Sequence, residues 1–202
     1  MLLVRHGKTA STGQVLPGRA PGLHLDDTGR SQAQRAAELL TGVNAAAVYC
    51  SPLERTRETA APIAKALGLK PRVERGLLEA DFGEWTGGRL KQLARKPEWR
   101  QVQHAPSSFR FPGGESFAEM QFRIVGCIET LRRRHHGETI VCVSHADPIK
   151  AFLADALGVH LDLFQRIVIS PCAVSAVTWA GVSPAVLALN VTGRPIAELT
   201  VS

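Results

Sequence analysis

Arg5-His6-Gly7-Lys8-Thr9 stands directly behind an apolar run, Met1-Leu2-Leu3-Val4, near the N-terminus of the 202-residue chain. A guanidinium and an imidazole thus fall where a buried strand breaks into a loop. A cation, an imidazole and a glycine that leaves backbone N–H groups accessible suit a tetrahedral anion, whose phosphorus the imidazole can attack. An Arg-His-Gly tripeptide alone is a weak signal. It gains weight from Arg55 behind Ser51-Pro52-Leu53-Glu54, Glu79 behind Leu77-Leu78, and His145 behind Val143-Ser144.

The residue types divide the work. A neutral imidazole nitrogen on His6 can hold the phosphoryl group as a phosphohistidine, splitting the transfer into two easier steps. Arg5 and Arg55 offer forked donors to the non-bridging phosphate oxygens, and His145 is a further donor to the same group. Glu79, flanked by Leu77, Leu78 and Phe82, suits general acid–base work. A partly desolvated carboxyl holds its proton for the leaving alkoxide and later takes one from water. Asp81 and Glu84 read as ordinary loop ion-pairing residues. His6, Glu79, His145 and Asp147 could be written as metal ligands, yet none has the short paired spacing of a zinc site. Two arginines in one pocket also disfavour a divalent cation, so no metal and no cofactor is expected. Gly18 and Gly22 are not a P-loop, because no Gly-Lys-Ser/Thr follows.

The elements that must position these residues alternate strand and helix. Leu2–Val4 reads as a short buried strand. Asp26 suits the N-cap of a helix with Ala33, Ala36, Ala37 and Leu40 on one face. Ala45–Cys50 reads as a second strand, and Ser51-Pro52 suits a helix N-cap with proline at the first helical position. That helix runs through Ala60, Ile63, Ala64 and Leu67 to Gly68, a natural stop. After a strand near Arg72–Val73, Gly76–Gly88 reads as an irregular functional loop, followed by a short helix near Leu90–Arg95. A longer helix carries Phe117, Met120, Ile124, Ile128 and Leu131 on one side. Thr139–Val143 is a continuous apolar strand of the kind covered on both faces. A helix with Ile149, Phe152, Leu153, Ala156 and Leu157 ends at Gly158. Ala173–Trp179 and Ala185–Val191 read as a closing strand pair, turned by Gly181, Ser183 and Pro184. The pattern predicts a single domain over residues 1–202: a three-layer α/β/α sandwich with a mostly parallel central sheet and an antiparallel contribution near the C-terminus. In such sheets ligands bind beyond the carboxyl ends of the strands. Arg5-His6, Ser51–Arg55 and Ser144-His145 all fall there.

Bulk properties narrow the class. A hydrophobic fraction of 45% and a charged fraction of 21% are ordinary for a globular protein. No stretch approaches the roughly 20 apolar residues of a membrane span, and no basic n-region marks a signal peptide. Cys50, Cys127, Cys142 and Cys172 lack metal-ligand spacing and read as free thiols of a reducing cytoplasm. The net charge of +6 is scattered apart from Arg132-Arg133-Arg134. Without exposed aromatics among the basic residues it fits a pocket for small anions better than nucleic acid. Neither a nucleic-acid nor a membrane partner is expected, and a homo-oligomer is left open.

Together the motifs resemble the histidine phosphatase superfamily, in its phosphoglycerate mutase-like branch. Leu3-Val4-Arg5-His6-Gly7-Lys8-Thr9 resembles its opening motif, and Ser51-Pro52-Leu53-Glu54-Arg55 with Thr59-Ala60 resembles its second signature. Leu78-Glu79-Ala80-Asp81-Phe82-Gly83-Glu84-Trp85-Thr86-Gly87 is similar to its acid-bearing loop. Phe111-Pro112-Gly113-Gly114-Glu115-Ser116 and Val143-Ser144-His145 complete the set, in order, between residue 2 and about residue 150. The resemblance implies His6 as nucleophile, Arg5, Arg55 and His145 as the phosphate clamp, and Glu79 as acid. Members often carry Glu after Arg-His-Gly and Asn three positions past the Thr; here Lys8 and Thr12 stand there. Thr12 and Arg19, in the rim loop Gly13–Leu25 or just before it, are the expected substrate-reading residues, with His24 beside them. Ala146-Asp147 follows His145 where glycines are commoner, and Pro148 suits Asp147 as a helix cap. The stretch Gly88–Gly114 is short and lacks an adjacent arginine pair, which favours a metal-independent phosphomonoesterase acting on a small phosphorylated metabolite. A phosphomutase is the alternative, and a non-catalytic phosphate-binding module the third reading.

Overall fold

The computed structural model describes residues 1–181 and 183–193. Its centre is a six-stranded sheet built from β1 (Leu2–Arg5), β3 (Ala45–Cys50), β4 (Pro71–Val73), β6 (Thr139–Ser144), β7 (Val174–Ala180) and β8 (Ser183–Val191), in the order β4-β3-β6-β1-β7-β8. The first four run parallel, while β7 is antiparallel to both β1 and β8. The mostly parallel sheet with an antiparallel C-terminal addition is the expected architecture.

Alternation within the strands divides the core into two layers. Leu2, Val4, Val48, Val141 and Val143 face the small residues Ala33, Ala36, Ala37, Ala60 and Ala64 of α1 (Asp27–Leu39) and α2 (Glu54–Ala66). Leu3, Tyr49, Ile140 and Cys142 face the bulkier Met120, Ile124, Ile128, Phe152 and Leu153 of α5 (Phe117–Arg134) and α6 (Ala146–Ala156). Helices on both faces explain why β6 reads as an unbroken apolar run.

Asp26 caps α1 by accepting the Gly29 N–H at 2.7 Å. Gly68, at φ +67°, follows the end of α2, and Gly158, at φ +66°, the end of α6. Four local expectations need correction. Helix α2 begins at Glu54 behind Leu53, so Ser51-Pro52 is no cap. Ser51 Oγ instead meets His145 Nε2 at 2.9 Å, and the helix start yields to that buried bond. Asp147 is no cap either: α6 starts one residue earlier, and Asp147 pairs with Lys150 at 3.6 Å one turn on. Ser183 and Pro184 already belong to β8, leaving Gly181 at φ +76° as the described part of that turn. The segment from Gly76 to Gly88 is not wholly irregular. It carries 3-10 turns ending at Leu77 and spanning Gly83–Trp85, and Gly88–Arg89 (β5) pairs with Val15–Leu16 (β2) of the rim loop. Two short helices, α3 (Leu90–Leu93) and α4 (Trp99–His104), follow.

Among the described residues no helix is long and apolar enough to cross a membrane. All four cysteines are free, and Cys50, Cys142 and Cys172 are buried.

Candidate active site

Parallel register brings the strand ends level. Val4 and Cys50 both stand opposite Val143, and Arg5 stands opposite Ser144. The residues just beyond therefore meet at one edge of the sheet. His6, Arg55, Glu79 and His145 are all buried there, the guanidinium of Arg55 completely. Burying that many ionisable groups together is costly unless each is paired or waits for a ligand.

His6 is held in one tautomer. Its Nδ1 lies 2.7 Å from the Gly7 carbonyl, which can only accept, so Nδ1 carries the proton. Nε2 is left with its lone pair and accepts from Arg55 Nε at 3.3 Å. Burial first, and the Arg55 charge second, push the His6 pKa down to about 3, so the ring stays neutral and nucleophilic. The His145 ring stands 5.2 Å from that of His6, edge to face. Its Nε2 is engaged by Ser51, and burial beside Arg55 holds its pKa well below the ordinary histidine value.

Several donors at the site have no protein partner. Arg55 gives Nη2 to the Gly18 carbonyl at 2.8 Å and Arg5 gives Nη1 to the Ile169 carbonyl at 2.6 Å. Arg55 Nη1, Arg5 Nε and His145 Nδ1 are buried without a hydrogen bond. Unsatisfied buried donors are rare in folded proteins and ask for an explanation. Two guanidinium donors and one ring nitrogen, which donates when the Ser51 hydroxyl supplies the hydrogen to His145 Nε2, gather as a cradle around the His6 imidazole in an arrangement that suits an oxyanion.

Glu79 stands beside this cradle, its Oε2 3.9 Å from His145 Nδ1. Burial, then the like charge of Asp147, raise its pKa to about 7 against the pull of Arg55. A carboxyl raised this far keeps its proton up to near neutrality, the state that a general acid requires. Asp147 is itself paired with Lys150 and half-buried, and it acts on Glu79 through charge.

Arg5, His6, Arg55, Glu79 and His145 are thus brought together, whereas Thr12 and Arg19 are occupied elsewhere. Thr12 Oγ1 accepts the Thr9 N–H at 2.9 Å and closes a turn. Arg19 turns to the acid loop, donating to the Glu79 carbonyl at 2.8 Å and to Glu115 at 3.0 Å. His24 pairs with Glu58 on α2.

Sequence reading assigned no role to Thr59, Glu115 or Arg123. Thr59 Oγ1 accepts the Gly7 N–H at 3.0 Å and donates to the Arg55 carbonyl at 2.7 Å, joining the His6 loop to α2. Arg123 donates to the Gly76 and Leu78 carbonyls, each at 2.9 Å. Its signal was a charged residue next to Ile124 on the apolar stripe of α5. Among the described residues no group of His, Cys, Asp and Glu side chains has the arrangement of a metal site.

Comparison with known proteins agrees with this geometry. Residues 1–192 match the model of the histidine phosphatase superfamily (branch 1). Phosphoserine phosphatase 1 of Hydrogenobacter thermophilus is 34% identical over 197 residues, covering 95% of this chain and 92% of its own. "Probable phosphoglycerate mutase GpmB" of Salmonella paratyphi C is 26% identical over 179 residues, covering 88% and 83%. The fold is also that of a phosphoserine phosphatase from Entamoeba histolytica solved with 3-phosphoglyceric acid. That structure has a TM-score of 0.86 at 24% identity, over 95% of this chain and 96% of that one. A match running from the first strand through β8, around a neutral buried histidine and its cradle, makes this chain a member of the histidine phosphatase superfamily, in the phosphoglycerate mutase-like branch.

Proposed function

We propose that this phosphatase hydrolyses monoesters of small phosphorylated metabolites through a phosphohistidine on His6, without a metal ion. The observation that carries the reading is the pair of buried, unpartnered guanidinium donors, Arg5 Nε and Arg55 Nη1, with the unpartnered His145 Nδ1, beside a neutral imidazole whose Nε2 lone pair faces Arg55. The entering phosphate takes over the Arg55 Nε–H that now points at Nε2, and the lone pair attacks phosphorus. The P–O ester bond breaks as the N–P bond forms, and Glu79 gives its proton to the departing alkoxide. Glu79, now ionised, takes a proton from a water that attacks phosphorus. The N–P bond breaks, and phosphate and the starting protonation state are restored. The arginines stay charged throughout and stabilise the equatorial oxygens, so positioning and electrostatics supply most of the rate.

In this reading residues 1–202 form one cytoplasmic domain with no nucleic-acid or membrane partner. Phosphoserine heads the substrate panel because the Hydrogenobacter relative bears that name. The test is rapid mixing with labelled substrate, which should trap an acid-labile, base-stable adduct on His6. His6→Ala should fold, lose turnover and form no adduct. Near-normal activity in that variant, or an adduct elsewhere, overturns the mechanism. Isomerisation of 3-phosphoglycerate primed by its bisphosphate, with no net phosphate release, would turn the reading to a phosphomutase.

A further inference from the structure

Three side chains, Arg19, Glu115 and Arg123, tie the backbone on both sides of Glu79. Glu115 receives Arg123 on both carboxylate oxygens, Nε on Oε1 at 2.8 Å and Nη2 on Oε2 at 3.0 Å. Its Oε2 also accepts Arg19 Nη2 at 3.0 Å and the Asp81 N–H at 3.2 Å. The two arginines converge on one atom, the Glu79 carbonyl oxygen, from Arg19 Nε at 2.8 Å and Arg123 Nη2 at 3.3 Å. That oxygen belongs to the peptide unit between Glu79 and Ala80. The N–H at the other end of the same planar unit donates to Glu79's own Oε1 at 3.0 Å.

One rigid amide is therefore held at its oxygen by two guanidinium groups and presents its hydrogen to the carboxyl of the acid. Donors on a carbonyl polarise the amide and strengthen its N–H as a donor. Holding Oε1 in this way leaves Oε2, the oxygen 3.9 Å from His145 Nδ1, to face the reacting group. A surface ion pair would contribute little. Glu115 is instead largely buried, with 15% of its side chain exposed, and its partners pull its pKa below the ordinary value against the cost of burial.

Arg19 comes from the rim loop, and its neighbour Gly18 accepts from Arg55 Nη2 at 2.8 Å. Two consecutive residues of one loop thus touch the phosphate clamp and the acid support. We propose that Glu115, acting through Arg19 and Arg123, is the positioning residue that sets the proton-donating oxygen of Glu79. On this assignment Arg19 is the latch by which the docked rim loop completes the acid, and it is not a substrate ligand. The proposal rests on Glu79 being the acid.

The experiment compares an alkyl phosphate, whose alkoxide needs a proton, with para-nitrophenyl phosphate, whose phenolate leaves without one. Glu115→Gln and Arg19→Ala should each lower kcat for the alkyl ester about 10-fold or more while the aryl ester loses under about 3-fold, a part of the full general-acid effect. KM should stay within about twofold, because uniform binding is untouched. Added guanidinium ion should restore alkyl-ester turnover in Arg19→Ala, which no general loss of stability would do. Equal losses on both esters, or a raised KM with kcat unchanged, overturn the latch. Glu79→Gln is the control. If it shows the leaving-group selectivity and the latch variants do not, only the latch is wrong. If Glu79→Gln lacks the selectivity, the acid assignment fails and the latch with it. Should Glu115→Gln not fold, Arg19→Ala, on a loop with 31% of its side chain exposed, carries the test alone.

Discussion

At the scale of single residues, the proposed mechanism relies on two groups held in their uncommon protonation states. His6 is neutral well below its usual range, so it sets no acid limb above about pH 3. Glu79, raised to about 7, is protonated below that pH and loses its proton above it. We expect kcat/KM for an alkyl phosphate to fall as pH rises through about 7, and Glu79→Gln to flatten that limb. Stability carries the same sign. Between its ordinary pKa and about 7 the native state binds a proton that the unfolded chain has released, so Glu79's contribution declines as pH rises through that window. Glu79→Gln should therefore gain stability relative to wild type between pH 5 and pH 8, measured by denaturant unfolding at each end. Asp147→Asn removes a like charge and should move the activity limb to lower pH without altering leaving-group selectivity. Arg55 and Arg57 make a sharper pair. The first is wholly buried in the cradle and the second lies on the solvent side of α2. Arg55→Ala should cost at least about 1.5–3 kcal/mol of transition-state stabilisation, the scale of a charged hydrogen bond, while Arg57→Ala leaves kcat/KM nearly unchanged.

At the scale of elements, the His6 loop is placed by close backbone contact. A Cβ on Gly29, in the first turn of α1, would stand 2.0 Å from the Lys8 carbonyl oxygen, and one on Gly7 would stand 2.6 Å from the Gly29 oxygen. Neither backbone atom can rotate away as a side chain would. Gly29→Ala should therefore displace the loop, lower stability by about 2 kcal/mol as overpacking does, and reduce kcat by moving His6. A stability loss with kcat intact would show that α1 gives way instead of the loop. The elements themselves were legible, because α1, α2 and α5 carry their apolar residues at helical spacing. The pairing of β2 with β5 was not. Two residues a side leave no periodicity to read, and the ribbon exists because the rim loop docks beside the acid loop.

Across the whole molecule, the proposed function draws the positive charge that binds phosphate from protein side chains. Activity should persist in excess chelator, measured after prolonged dialysis. Loss on chelation with recovery on adding a divalent ion would reassign the electrophile. The net charge of +6 should also make kcat/KM fall as ionic strength rises, since an anionic substrate is attracted over distances that salt screens.

The sequence alone determined which side chains gather at the candidate site and that helices cover a mostly parallel sheet on both faces. Arg5-His6 follows an apolar run and His145 follows another, and in a parallel sheet strand ends share one edge whatever the strand order. It also foretold a desolvated Glu79, because the flanking leucines and Phe82 are near neighbours in the chain. Tertiary structure decided the partners. That Ser51 serves His145 in place of α2, that Arg19 reaches Glu79 and Glu115, and that Asp147 acts on Glu79 by charge all depend on segments far apart in sequence. Their spacing obeys no local period. Hydrophobic repetition is written in neighbouring residues, whereas a buried hydrogen bond goes to whichever donor or acceptor the packed chain brings within reach.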